Sequence, residues 1–363
     1  NGLAYMLGLQ DNGILAVAKH FPGHGDTDTD SHLGLPVVNH SRKRLDTLEL
    51  IPFRELIRKG LSGMMVAHLQ IPSLDTAAHT PATLSHKITD DLLKDSLKFT
   101  GIVFTDALNM KGVTQFYDPG VADVKALLAG NDILLFSENI GKAILEIKKA
   151  IHEGQITQDE INQRCRKILF AKRYLHLNQK PLINEQNIIN DINTPDSEFL
   201  NRQLYENALT VLINKNDFIP VKEPDTLSIA SVSIGKKEIT SFQEMLGNYS
   251  AITHFNLERN PDRTSVNEII SKIKDFNLLI IAVHLSHHPA NNYGLNDKIL
   301  SVIDTLLSLN DRLNFSVKKI ILTVFGNPYT LIQIRRIEYC DVLIEGYEDN
   351  NYTRQLSAKG LGS

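Results

Sequence analysis

Gly101-Ile102-Val103-Phe104-Thr105-Asp106 is the stretch on which the fold turns. An apolar run this short, opened by a glycine and closed by a carboxylate, reads as a buried strand rather than a helix. Just before it, Ile88/Leu92 and Leu93/Leu97 recur at i,i+4 behind Asp90 and Asp91, which predicts a helix with an acidic first turn. Working outward, residues 14–21, 63–69 and 132–136 repeat the strand pattern. Between the first two of these, Pro52 suits a helix N1 position, Arg58 and Lys59 its last turn, and Gly60 the position after it. Asp118-Pro119 opens another helix, which passes through Leu127 and Leu128 and stops at Gly130. The βαβαβαβα rhythm predicts a parallel sheet with right-handed crossovers. Helices over residues 140–152 and 158–175 follow.

Residues 178–196 are polar, rich in Asn and Asp, and lack periodicity, so they read as a linker between segments 1–177 and 197–363. The second segment alternates again, with a helix near 197–206, strands at 209–213, 226–232, 278–285, 320–325 and 342–345, and helices at 266–274 and 298–307. A length of 363 residues suits two domains of this size. With 42% hydrophobic and 22% charged residues the chain is globular, neither disordered nor coiled coil. Its formal net charge of −4 gives no basic field for nucleic acid or an anionic membrane. Apolar runs such as 278–283 are far too short to span a bilayer, so no membrane segment is expected. Cys165 and Cys340 match no metal or redox spacing. Residues 1–13 have neither a charged n-region nor an apolar h-region, and read as the continuation of something upstream rather than as a signal peptide.

The chemistry gathers at strand ends. Lys19-His20-Phe21-Pro22-Gly23-His24-Gly25-Asp26 leaves the first strand and runs on to Asp30-Ser31-His32. Three histidines and several carboxylates on one strand-end loop sit where parallel sheets bind ligands. Gly23 and Gly25 fit neither a Walker loop nor a dinucleotide fingerprint. Asp106 ends its own strand, and a parallel arrangement brings such ends to one rim. A strand-end Asp also serves often as a plain helix cap.

These motifs, with Met65-Val66-Ala67-His68 and Thr105-Asp106-Ala107-Leu108-Asn109-Met110, resemble family-3 glycoside hydrolases, specifically their β-N-acetylglucosaminidase branch. Val324-Phe325-Gly326-Asn327-Pro328-Tyr329 and Gly346-Tyr347-Glu348-Asp349 are similar to the family's α/β sandwich domain, so the likeness covers nearly the whole chain. The resemblance implies an α/β fold: the C-terminal half of a (β/α)8 TIM-type barrel, then a second α/β sandwich domain. It implies retaining hydrolysis of terminal β-linked N-acetylglucosamine from peptidoglycan-derived fragments, with chitin oligomers second. Asp106 matches the nucleophile, His32 the general acid/base, Asp30 the carboxylate that steers the imidazole, and Lys19 and His20 the contacts to sugar hydroxyls. His68 ends a strand between the two motifs, and no role is carried over to it. No metal or other cofactor is implied. The missing N-terminal half-barrel is the implied partner, and the chain alone is expected to be poorly soluble or inactive. Such enzymes occur in the cytoplasm or the cell envelope of bacteria, so compartment stays open.

Chemical logic supports the pairing. A glycosidic oxygen needs a proton as its bond breaks, and the oxocarbenium-like centre needs an anion opposite. Imidazole can give and retake a proton near neutral pH, held by a carboxylate as in a Ser-His-Asp triad. It also presents less negative charge than a second carboxylate, which suits anionic groups near the scissile bond and leaves phosphate conceivable as acceptor. The rival readings are a non-catalytic carbohydrate-binding relative and a metal-dependent barrel hydrolase. Trp is absent, so any sugar-stacking platform must come from Tyr or Phe.

Overall fold

The computed structural model describes residues 1–27, 29, 33–179, 185–286, 288–311 and 315–362. The chain divides into two compact units, Asn1–Ile183 and Asn184–Ser363.

The first unit carries a parallel sheet of β1 (Val17–Phe21), β2 (Gly63–Val66) and β3 (Ile102–Thr105) in that order. β2, the central strand, aligns Gly63 with Ile102 and Val66 with Thr105, while its pairing with β1 shifts register between Ala18 and Phe21. Gly101 is required just before β3, because a Cβ there would lie 2.4 Å from the Ser62 carbonyl oxygen. Phe21, Leu50, Met64, Val66, Ile88, Leu93 and Val103 form the core that the helices close over the sheet. The strand expected at 132–136 is reduced to a single bridge, Ile133 to Phe104, although Thr105 N–H still reaches the Ile133 carbonyl and Leu108 N–H that of Leu135.

The helix expected to start at Pro52 begins ten residues earlier. Ser41 caps Arg42–Arg44, a π-helical turn follows at Leu45–Glu49, and Leu50–Arg58 completes it. Proline is tolerated inside because the wide turn ahead of it disrupts the regular i→i−4 bonding that its missing N–H would break. Ile140–His152 matches its expected span, and Gln158–Tyr174 opens with a reciprocal cap between Thr157 and Glu160. Residues 2–11, read from sequence without regular structure, form the helix Gly2–Asp11.

The second unit holds β4 (Thr210–Asn214), β5 (Ile229–Ile234), β6 (Ile252–Leu257), β7 (Leu278–His284), β8 (Lys319–Phe325) and β9 (Val342–Glu345) in spatial order β4-β9-β8-β7-β5-β6. All neighbours are parallel except β4, which runs antiparallel to β9. Consecutive strands diverge on either side of β5, so the crevice between the carboxyl ends of β5 and β7 is the topological switch point. Beside it, Asp349 binds three partners. Its Oδ1 accepts from His284 Nδ1 at 2.7 Å and Arg354 Nε at 2.6 Å, and Oδ2 lies 2.8 Å from Lys236 Nζ. Burial pushes this carboxyl up, but the three donors outweigh it and hold it well below the usual carboxylate range. Cys340 is buried and Cys165 exposed, and both are free thiols.

Glu345, on β9, is the opposite case. It is 1% exposed; Oε1 accepts the Tyr347 N–H, and Oε2 has no partner among the described residues. Burial pushes its carboxyl up to about 7. A raised folded value means that stability is greatest below the unfolded value and falls as pH rises through the folded one. Glu345→Gln is therefore expected to stabilise the second unit by about 3 kcal/mol above pH ~8, and to change little near pH ~4. Urea denaturation at the two pH values measures the difference, and an equal effect at both would contradict this account.

Candidate active site

The site forms where β1, β2 and β3 end together. After β1 the chain turns sharply, with the Gly23 N–H on the His20 carbonyl at 2.9 Å. Gly23 adopts φ +139°, and a Cβ there would meet the Glu49 side chain at 2.8 Å, so only glycine fits. This turn presents His20 beside the end of β3, where its Nε2 lies 3.7 Å from Asp106 Oδ2. The Asp106 side chain is 14% exposed and that of His20 30%, so both border a surface that a ligand can reach. The His24 ring packs edge-on against His20 with centroids 5.7 Å apart, and its Nδ1 lies 3.3 Å from Thr27 Oγ1.

Asp106 is held from its own strand end. Its N–H donates to the Val66 carbonyl at 3.0 Å, and Oδ1 accepts the Ala107 N–H at 2.9 Å. That leaves Oδ2 facing His20. Lys19 is exposed, and its side chain makes no hydrogen bond or ion pair among the described residues. Asp30 and His32 lie outside the described residues. Of the predicted site residues the structure therefore brings together Asp106 and His20.

His68 is the residue whose part sequence reasoning left unassigned. It is fully buried just beyond β2, with Nε2 2.9 Å from the Ala107 carbonyl oxygen and Nδ1 2.9 Å from Thr83 Oγ1. Burial lowers its pKa, against the pull of the Ala107 carbonyl and the Asp106 charge, which favours the neutral ring. Its partners are a backbone carbonyl and a distant threonine, and neither shows in a motif. Thr83 is itself pinned: its N–H donates to the Ala67 carbonyl, and its own carbonyl accepts from Asn131 Nδ2 at 2.8 Å.

Among the described residues one set could hold a metal, His86 with Asp90 and Asp91. Its two ring nitrogens face different carboxylates, 3.4 Å from Asp90 and 3.2 Å from Asp91, and Lys94 already pairs with Asp90. It shares no residue with the Asp106 cluster. The Asp106 site offers one partly shielded carboxylate oxygen beside an imidazole, a pairing suited to attack on an electrophilic carbon with hydrogen bonding to a polar substrate.

Residues 1–171 match the family model of the glycosyl hydrolase family 3 N-terminal domain. The chain is 34% identical over 193 residues to Beta-hexosaminidase A of Pseudoalteromonas piscicida, covering 48% of this chain and 32% of that protein. It is 41% identical over 134 residues to Beta-hexosaminidase of Nitrosospira multiformis, covering 37% of this chain and 38% of the relative. Thus the match spans about a third of the length of these curated relatives. Among solved structures, a glycoside hydrolase family 3 β-N-acetylglucosaminidase from Paenibacillus sp. str. FPU-7 is similar with a TM-score of 0.74 and 25% identity, covering 98% of this chain and 66% of that one.

Proposed function

We propose that the chain, whose residues 1–171 match the family 3 N-terminal domain and which is similar to β-hexosaminidases, carries the catalytic carboxylate for retaining hydrolysis of terminal β-linked N-acetylglucosamine. The observation that supports this reading best is the placement of Asp106: a strand-end carboxylate, partly shielded, with Oδ2 3.7 Å from His20 Nε2. In the proposed first step Asp106 attacks the anomeric carbon while the glycosidic bond breaks, and His32 delivers its proton to the departing oxygen. In the second step His32 takes a proton from water, whose oxygen displaces Asp106 from the anomeric carbon. Asp30 fixes the imidazole, and Lys19 and His20 bind sugar hydroxyls. An imidazole in the acid role suits substrates with a carboxylate near the scissile bond, which favours muropeptide fragments over chitin oligomers.

We further propose that segment 1–177 is half of a (β/α)8 barrel, segment 197–363 is a sandwich domain joined through 178–196, and turnover needs a complementary half-barrel. Supporting this, β1 is paired on one side only among the described residues, and the 132–136 stretch, with Phe136 68% exposed, makes its backbone bonds only to β3 and the residues just after it among the described residues. Open edges and unfinished apolar faces are what barrel closure removes.

The test is a chimera with the first half of a family 3 β-hexosaminidase barrel placed ahead of Asn1. Nitrophenyl N-acetylglucosaminide turnover is expected to exceed that of the 363-residue chain by at least about a hundredfold. Equal turnover would refute the half-barrel requirement, and turnover of the nitrophenyl glucoside alone would refute the sugar assignment.

A further inference from the structure

We infer that His68 is a positioning residue for Asp106, a fixed neutral donor that sets the Ala107 peptide and through it the direction of the carboxylate. The kinetic part of this inference rests on the glycosidase reading; the hydrogen-bond part does not.

The tautomer follows from counting protons. The Ala107 carbonyl can only accept, so His68 Nε2 carries the hydrogen across their 2.9 Å contact. The Thr83 hydroxyl has one proton and three acceptors in reach: the Val66 carbonyl at 3.1 Å, the Ala67 carbonyl at 2.7 Å, and His68 Nδ1 at 2.9 Å. Val66 already accepts the Asp106 N–H, and Ala67 the Thr83 N–H. In a neutral ring only Nδ1 lacks another donor, so the Thr83 proton goes there. Every polar atom of the buried ring is then satisfied without a charge. Neighbouring groups act on the ring from both sides, Asp106 favouring the charged form and His20 opposing it, and burial decides for the neutral one.

Ala107 transmits the constraint. Its carbonyl takes His68 Nε2–H together with the Met110 N–H at 3.0 Å, and the Leu108 N–H of the same peptide donates to the Leu135 carbonyl at 2.9 Å. A peptide plane pinned from both sides cannot rotate. The Ala107 N–H then holds Asp106 Oδ1 at 2.9 Å, and Oδ2 is left to face His20. A satisfied core histidine with only a packing role would be replaceable by a ring of the same shape. A positioning donor would not, since misplacing a reacting atom by ~1 Å costs on the order of 10²-fold in rate.

The experiment uses the 363-residue chain with ¹⁵N-labelled histidine, as wild type, His68→Phe, His68→Gln and Thr83→Val. In the wild type, His68 is expected to show the Nε2–H tautomer and to be neutral at neutral pH. In His68→Phe, the ring volume stays but the Ala107 carbonyl loses its donor, and the ring ¹⁵N signals of His20, beside Asp106, are expected to shift. Glutamine keeps a donor at the Nε2 position, so His68→Gln is expected to restore the His20 signals. Thr83→Val is expected to change the His68 tautomer signals while the fold persists. A charged His68 at neutral pH, or the same His20 ¹⁵N signals in wild type, Phe and Gln, overturns the proposal. Where wild-type chain or chimera cleaves the nitrophenyl substrate, His68→Phe lowers kcat about a hundredfold with KM within about twofold, and Gln recovers most of it. Absence of wild-type turnover in both preparations counts against the glycosidase reading alone, since the ¹⁵N signals decide the hydrogen bond.

Discussion

Asp106→Ala in the chimera is expected to lower nitrophenyl N-acetylglucosaminide turnover by about 10⁴-fold while leaving KM within a few-fold. The size follows from what the side chain would do. A nucleophile makes its bond in the transition state, so its removal strikes kcat rather than ground-state binding. The variant should fold, because Asp106 is partly exposed and its side chain takes one backbone bond, from Ala107. A second measurement separates nucleophile from mere electrostatic support. Azide admitted to the space left by the carboxylate would attack the anomeric carbon, expel nitrophenolate, and give the α-glycosyl azide. Recovery of turnover with that product supports covalent catalysis by Asp106. Undiminished turnover in Asp106→Ala would remove the nucleophile assignment outright.

The second large effect belongs to the other unit. Asp349→Ala is expected to destabilise it by about 3–5 kcal/mol at neutral pH, since Lys236, Arg354 and His284 lose a shared, buried acceptor together. The depressed folded pKa sets the sign: the contribution is present above the ordinary carboxylate value and is lost as pH falls through the folded one. Wild type and variant should therefore converge only in strong acid, below pH ~3. Denaturant midpoints at neutral and acidic pH provide the measurement. A loss below about 1 kcal/mol at neutral pH would mean that the three donors are as well served by water.

Most of the elements were legible where a residue type has one physical meaning. The β3 run between Gly101 and Asp106, and the helix Ile140–His152, announce themselves by apolar pattern and punctuation. Pro52 misled because a proline favours a first turn, while here a π-helical turn precedes it and the helix begins at Arg42. β6, Ile252–Leu257, went unread because it is an edge strand whose Thr253, His254 and Asn256 blur the apolar signal. The helix Asn351–Gly362 carries Gly360 and Gly362, which argue against helix locally, yet Ala358 and Leu361 bury against the sheet face and override propensity. At the site, Asp106 and His20 stood out as strand-end polar residues in a specific motif. The Thr83–His68–Ala107 chain could not stand out, because it runs through a backbone carbonyl and joins residues 15 and 39 positions apart.

The strand order of the second unit bears on how the nascent chain acquires its shape. β9, last in sequence, is an interior strand, with β8 on one flank and β4 on the other, Val211 opposite Ile344. Until the ribosome has released residues 342–345, both neighbours offer unsatisfied backbone edges, and β4 also displays half-exposed Val211 and Leu212. The first unit adds its strands in sequence order, each beside the one before. Synthesis thus forms the pairings of β1, β2 and β3 as it proceeds and leaves the other sheet waiting for one late insertion, so its exposure to chaperones and to mispairing lasts until β9 emerges.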